Sequence, residues 1–158
     1  MSDLTRLLRV VIDTNLFVSA LIRADGFPDR VVRAWREGRF HLVTTPQLNT
    51  EIAGVLARRW LTERYRIDTG QRQGILRDLD AVEPVQPLMS LPLQSRDLED
   101  NKVLAAALGG RADYLVTGDN DLLSLGGDLA LGALRIVTPA EFMERLAAEE
   151  SADREPGD

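Results

Sequence analysis

The sequence predicts an α/β fold of three layers, α/β/α, around a central and mainly parallel sheet, in a single domain. Three observations carry that prediction. Leu7-Leu8-Arg9-Val10-Val11-Ile12 is a nearly continuous, β-branched-rich run, the pattern of a strand buried on both faces. Strand-like runs alternate with helix-like ones, the signature of parallel β-α-β units. A chain of 158 residues has room for one substantial core, and no internal repeat or second domain is visible.

The elements follow in order. After the first strand, a helix is expected over Asn15–Ile22, then a turn at Asp25-Gly26-Phe27-Pro28. A second helix covers Asp29–Glu37 and stops at Gly38. Phe40–Thr44 reads as a second strand. Thr45 and Pro46 are N-cap and first residue of a helix whose apolar stripe is Leu48, Ile52, Val55 and Leu56. Trp60–Ala81 predicts one or two arginine-rich helices, and Val82–Leu93, with three prolines, a short strand plus loop. A helix from Asp97 to Leu108 is halted by Gly109-Gly110. Tyr114–Thr117 is a strand, Asp119–Ser124 a helical turn, Gly126-Gly127 a loop and Leu134–Val137 the last strand. Thr138-Pro139 opens a final helix to about Ala148. The domain is therefore expected over residues 1–148, with 149–158 a disordered acidic tail.

Composition narrows the chemistry. There is no cysteine, one histidine (His41) and one lysine (Lys102). Disulfides, thiolate zinc sites, cysteine nucleophiles and multi-histidine metal sites are excluded. Carboxylates are left as the reactive groups. The N-terminal Met1–Arg9 segment is charged and the apolar run after it breaks at Asp13, so no export signal is expected; no stretch is long enough to span a membrane. The expected location is the cytoplasm. A net charge of −6 argues at first against a nucleic-acid partner.

Four acids stand in unusual places. Asp13 closes the first strand, and Asp119 lies two residues beyond the strand that ends at Thr117. In a parallel sheet these positions share one edge, where open α/β sheets bind ligands. Asp100 precedes Val103 and Leu104 by three and four residues, so it lies on the apolar side of its helix. Glu51 sits inside the stripe between Leu48 and Val55 and is expected to reach the edge from the side. Simpler roles exist: Asp97 or Asp100 as helix caps, Asp119 as a turn residue, Glu51 snorkelling to water. Asp13 resists such a reading, because a buried carboxylate without a partner is costly. Several acids converging on one edge would repel unless a cation lay between them. An all-oxygen set favours magnesium or manganese, and the chemistry that suits it is phosphate-ester hydrolysis. Asn15 and Thr117 are placed to support Asp13 and Asp119 by hydrogen bonds.

With those residues in view, the chain resembles the PIN-domain ribonuclease family. Val11-Ile12-Asp13-Thr14-Asn15 resembles the family's opening motif, and Glu51 its glutamate on the helix after strand two. Asp100 before Val103-Leu104-Ala105-Ala106-Ala107 resembles the third acid and its alanine-rich helix, and Thr117-Gly118-Asp119 the Thr-x-Asp motif, with Asp121 beside it. The match covers about residues 9–146. Ser95-Arg96-Asp97-Leu98-Glu99-Asp100 most resembles a subgroup assigned as toxins of toxin–antitoxin pairs, although Leu98 replaces its usual proline and Asn101 a common extra acid. The resemblance implies a PIN-like fold and a magnesium- or manganese-dependent endoribonuclease. In it Asp13, Asp100 and Asp119 hold the metal, and Glu51 assists directly or through water. It also implies a homodimer and, for the toxin subgroup, a cognate antitoxin.

The charge is unevenly spread. Residues 1–93 hold 13 basic and 11 acidic side chains; residues 94–158 hold 6 and 14. The basic excess lies in Arg58, Arg59, Arg64, Arg66, Arg72 and Arg77, either an RNA phosphate contact or a solvated helix face. His41 reads as structural or exposed, and Trp35 and Trp60 as core or interface anchors rather than base-stacking platforms. The glycine pairs lack a phosphate-loop pattern. Rival readings are a haloacid-dehalogenase-like phosphatase, against which Asn15 stands where a second Asp is needed, and a receiver domain, against which Lys102 precedes Thr117. A third is a PIN-like module that binds RNA or protein without cutting.

Overall fold

In the computed structural model, which describes residues 6–154, four short strands are β1 (Arg9–Ile12), β2 (His41–Leu42), β3 (Tyr114–Val116) and β4 (Arg135–Val137). They form one sheet in the order β2-β1-β3-β4, with every pairing parallel. The helices are α1 (Thr14–Ile22), α2 (Phe27–Arg36), α3 (Pro46–Leu56), α4 (Arg59–Arg64), α5 (Thr69–Asp80), α6 (Leu98–Gly109), α7 (Asn120–Leu123) and α8 (Pro139–Arg154). A 3-10 turn at Leu129–Leu131 precedes β4.

Successive strand residues face opposite sides, and each side has its own helices. Val10, Ile12, Tyr114 and Val116 pack with Phe17 of α1, Trp35 of α2 and Phe142 of α8. Val11, Leu115 and Ile136 pack with Val103, Leu104 and Ala107 of α6 and Leu122 of α7. The three-layer α/β/α fold is therefore present, in one domain. The α3 helix crosses the end of the sheet, giving Leu48 to one core and Ile52 and Leu56 to the other. That crossing brings its middle turn, with Glu51, beside the C-terminal ends of β1 and β3.

Several boundaries differ from expectation. The β2 strand shrinks to two residues, though the Val43 N–H still donates to the Val10 carbonyl, 2.8 Å. No strand forms over Val82–Leu93; only the Val85 N–H reaches the sheet-side chain, at the Thr44 carbonyl (2.8 Å). Pro84 and Pro87 have no donor to offer a ladder, so the segment turns away and crosses the end of α6. There the Leu88 N–H meets the Ala105 carbonyl, 2.9 Å, and a Cβ on Gly109 would collide with the Gln86 carbonyl. The glycine thus serves close packing as well as helix termination. The arginine-rich stretch is two helices, α4 and α5. The last helix does not stop near Ala148. It continues to Arg154, held by the Arg39 guanidinium on both oxygens of Glu150 (2.9 and 2.7 Å). The expected tail is helical this far; its remainder, 155–158, lies outside the described residues, as do residues 1–5 of the N-terminal segment. Among the described residues no helix is long and apolar enough to cross a membrane.

Candidate active site

The parallel sheet delivers its acids to one edge because all strand C-termini point there. The Asp13 N–H extends the ladder to the Val116 carbonyl (2.9 Å), which fixes Asp13 at the end of β1. Its side chain is 7% exposed. Burial pushes its carboxyl above the ordinary 3.8, and the charge of Asp119 pushes the same way. The Thr117 hydroxyl opposes this by donating to Asp13 Oδ2 (2.7 Å), as do the nearby backbone N–H groups of Asn15 and Thr14.

Thr117 also accepts from the Asp119 N–H, 3.0 Å, so one hydroxyl ties both acids together. This differs from the expected role, in which Thr117 serves Asp119 and Asn15 serves Asp13 through its amide. The Asn15 side chain is exposed, because Asn15 already lies in the first turn of α1, and it is the backbone N–H that favours the Asp13 charge. Asp119 caps α7, its Oδ1 accepting from the Asp121 N–H (2.8 Å). Asp121 therefore acts through its backbone.

A second hydroxyl, not singled out by the sequence, does the same for the other pair. Ser95 is buried; its Oγ donates to Asp100 Oδ2 (3.0 Å) and accepts from the Asp97 N–H (3.3 Å). Asp97 caps α6 through the Glu99 N–H, so the capping reading of Asp97 holds. It also does more: carboxylate oxygens of Asp97, Asp100 and Asp119 lie within 4.8 Å of one another. Asp100 is 6% exposed. Burial first, then a proton shared with Asp119 and the charges of Asp119 and Asp97, raise its carboxyl to about 7 against the pull of Ser95.

Glu51 is half-buried on α3. One oxygen lies 3.5 Å from Lys102 Nζ, which is held more closely by Glu99 at 2.9 Å. The other, Oε2, is buried and has no hydrogen-bond partner. Asp13, Glu51, Asp97, Asp100 and Asp119 all line one cavity of about 530 Å³, with Asn15 at its wall. Thr117 and Asp121 stand behind it. Of the six arginines offered as an RNA contact, Arg58 lines the cavity, whereas Arg59, Arg64, Arg66, Arg72 and Arg77 do not. Arg59 is instead near Glu63, 3.9 Å.

The donor set suits a divalent cation. Three carboxylates converge, a fourth offers an unpartnered oxygen, and no basic side chain pairs with Asp97, Asp100, Asp119 or Asp13 among the described residues. Oxygen donors of this kind suit hard cations such as magnesium or manganese. The cluster and the expected ligand set overlap at Asp100 and Asp119; the cluster adds Asp97, with Asp13 alongside through Thr117.

Residues 9–121 match the family described as the PIN domain. The chain belongs to the PIN-domain family. A similar protein is the uncharacterized protein MJ1680 of Methanocaldococcus jannaschii, 32% identical over 147 residues, covering 88% of this chain and 92% of the relative. PIN domains are generally metal-dependent nucleases, and the matched span of this PIN domain contains all six acids that line the cavity, Glu99 included.

Proposed function

We propose that this PIN domain is a metal-dependent endoribonuclease that hydrolyses phosphodiester bonds in RNA. The observation that carries the reading is the convergence of Asp97, Asp100 and Asp119 within 4.8 Å, with no basic side chain paired to them among the described residues. Asp100 and Asp119 would hold Mg2+ or Mn2+, flanked by Asp13 and Asp97. Bound there, the ion would orient a phosphate oxygen and offset charge on the leaving oxygen. The chain's own groups do the rest. Thr117 and Ser95 orient the carboxylates of Asp13 and Asp100 and hold the backbone N–H groups of Asp119 and Asp97 beside them. Glu51 Oε2, buried and without a donor, is the oxygen free to accept a proton from the attacking water.

A finer reading is a toxin of a toxin–antitoxin pair, a cytoplasmic homodimer whose groove a cognate antitoxin blocks. Its support is the resemblance of Ser95–Asp100 to that subgroup, and it predicts a small DNA-binding protein encoded directly upstream.

The test of the enzymatic reading is direct. Purified protein cuts RNA with Mn2+ or Mg2+, loses the activity in EDTA and regains it on metal addition. Asp13→Asn abolishes cleavage while the circular dichroism spectrum is unchanged. Cleavage that survives EDTA, or an Asp13→Asn variant as active as the parent, refutes the assignment.

A further inference from the structure

The two tryptophans have opposite environments. Trp35 is 7% exposed and packs edge-on against Phe17, ring centroids 6.0 Å apart, as a core residue should. Trp60 is 41% exposed and lines the same cavity as the acids. It is carried on α4, a six-residue helix anchored by Leu61, which is fully buried. Its ring is braced from the side by Tyr65, centroids 6.3 Å apart at 65°. The contact steadies the ring while two-fifths of the residue stays exposed.

The cavity lining is therefore of two kinds. Carboxylates in it suit a cation and a phosphate, and Val18, Val55, Trp60 and Arg58 line the same space. Arg58 forms no ion pair among the described residues, and its guanidinium can meet a phosphate. A water-exposed aromatic and an unpaired cation in one cavity with the acids match what an unpaired nucleotide offers: a flat base and a charged linker. A base inside a duplex has both faces covered and cannot reach the ring.

We infer that Trp60 is a base-stacking residue that seats an unpaired nucleotide next to the scissile phosphate, with Arg58 on the neighbouring phosphate, so that the substrate is cut in single-stranded segments. The inference rests on the ribonuclease reading of the site. It assigns Trp60 a role in substrate positioning; at 41% exposed, Trp60 is not the core residue that the sequence also allowed.

The probe is a 5′-labelled single-stranded RNA of about 20 nucleotides, cut by the wild-type protein with Mn2+ so that the cleavage position is mapped. Trp60→Ala raises KM about 10-fold, as expected for losing one base–aromatic stack, and Trp60→Phe restores most of it while Trp60→Leu does not. An abasic nucleotide beside the mapped phosphate raises KM about 10-fold in the wild type, yet adds little in Trp60→Ala. Hybridising the RNA to its complement suppresses cleavage. If the wild type cuts the RNA but Trp60→Ala matches it, or if the abasic penalty is the same in both proteins, the stacking role falls and the ribonuclease reading stands. Equal cutting of the duplex also overturns it. Absence of any metal-dependent cleavage by the wild type removes both readings. Should Trp60→Ala not fold, the wild-type abasic series alone decides, and a flat response across the flanking positions refutes the inference.

Discussion

Asp29 and Asp100 are both aspartates in the first turn of a helix, and both are nearly buried, at 3% and 6% exposed. Their surroundings are opposite. Around Asp29 the fold has gathered compensation: the Asp25 N–H and the Arg33 guanidinium on Oδ2, and the Gln71 amide on Oδ1 (3.1 Å). Around Asp100 it has gathered a serine hydroxyl and more negative charge. Asp13, the third buried carboxylate among the described residues, resembles Asp100: a threonine hydroxyl, no cation and Asp119 close enough to disfavour its charge. The fold pairs one buried acid fully with a cation and leaves two others at one sheet edge with a hydroxyl and no cation among the described residues, which is what the proposed metal site requires.

The largest effect separates the two kinds of acid by crossing function against stability. Asp100→Asn keeps the side-chain shape and the acceptor for Ser95 but removes a negative charge from a repulsive cluster. Cleavage falls at least about 1000-fold, roughly 4 kcal/mol in the barrier, while the metal-free melting temperature at pH 8 is unchanged or higher. Asp29→Ala does the reverse. It leaves Arg33 and Gln71 without their acceptor and costs about 2–3 kcal/mol, on the order of 5–10 °C in melting temperature, with cleavage well below that temperature preserved. Equal destabilisation by both substitutions would make Asp100 a structural acid and remove the contrast.

Next in size is the pH dependence of the metal-free protein. The folded-state carboxyl of Asp100 is raised from 3.8 to about 7, and that of Asp13 is raised as well. A raised acid contributes stability that is fully present below about pH 4, where both states are protonated. That contribution is lost as pH climbs through about 7. Asp78 works in the opposite sense, because Arg36 holds its carboxyl below 3.8, and its stabilisation is lost as pH falls through that lowered value. The difference between wild type and Asp100→Asn isolates the site. In EDTA, wild-type stability drops relative to the variant between pH 4 and pH 8, by an amount on the order of a few kcal/mol, and its melting temperature falls with it. Saturating Mg2+ removes the drop and adds stability at high pH, since the ion binds the deprotonated cluster and displaces its proton. Parallel melting curves for the two proteins across this range, with and without Mg2+, would show that Asp100 feels no such burden.

Much of this arrangement was legible in the sequence, for reasons that particular residues make plain. A continuous apolar strand ending in Asp13 and an acid three and four residues before Val103 and Leu104 are pattern statements, and both periodicities survive folding. The parallel topology then brings Asp119 to Asp13 without further information. Loop residues were less visible. Ser95 follows a proline-rich stretch with no periodicity, and only the fold places its hydroxyl between Asp100 and the Asp97 N–H. The spacing Ser95-x-Asp97 does mirror Thr117-x-Asp119, a signal that a search for repeated hydroxyl-x-acid pairs would have found. The exposure of Trp60 was not legible in its arginine-rich setting, since nothing local says which way a short helix turns. The helical extension to Arg154 depends on Arg39, far away in sequence.

The mirrored pair supplies the smallest and sharpest test. In each, a hydroxyl donates to a buried acid and accepts the N–H of the acid two residues later: Thr117 for Asp13 and Asp119, Ser95 for Asp100 and Asp97. Thr117 is at the end of a strand and fully buried; Ser95 is in the loop ahead of α6, where backbone adjustment is cheaper. Removing a group that orients a metal ligand typically costs about 10- to 100-fold in affinity. Thr117→Ala is expected at the upper part of that range, with about 1 kcal/mol of lost stability from the unmade bonds, and Thr117→Ser recovers both. Ser95→Ala is expected near 10-fold in Mn2+ affinity, read by calorimetry, with the melting temperature of the metal-free protein almost unmoved. A loss of stability without a loss of Mn2+ affinity in Ser95→Ala would reduce the second bridge to a loop contact, and Asp97 would then be a helix cap and nothing more.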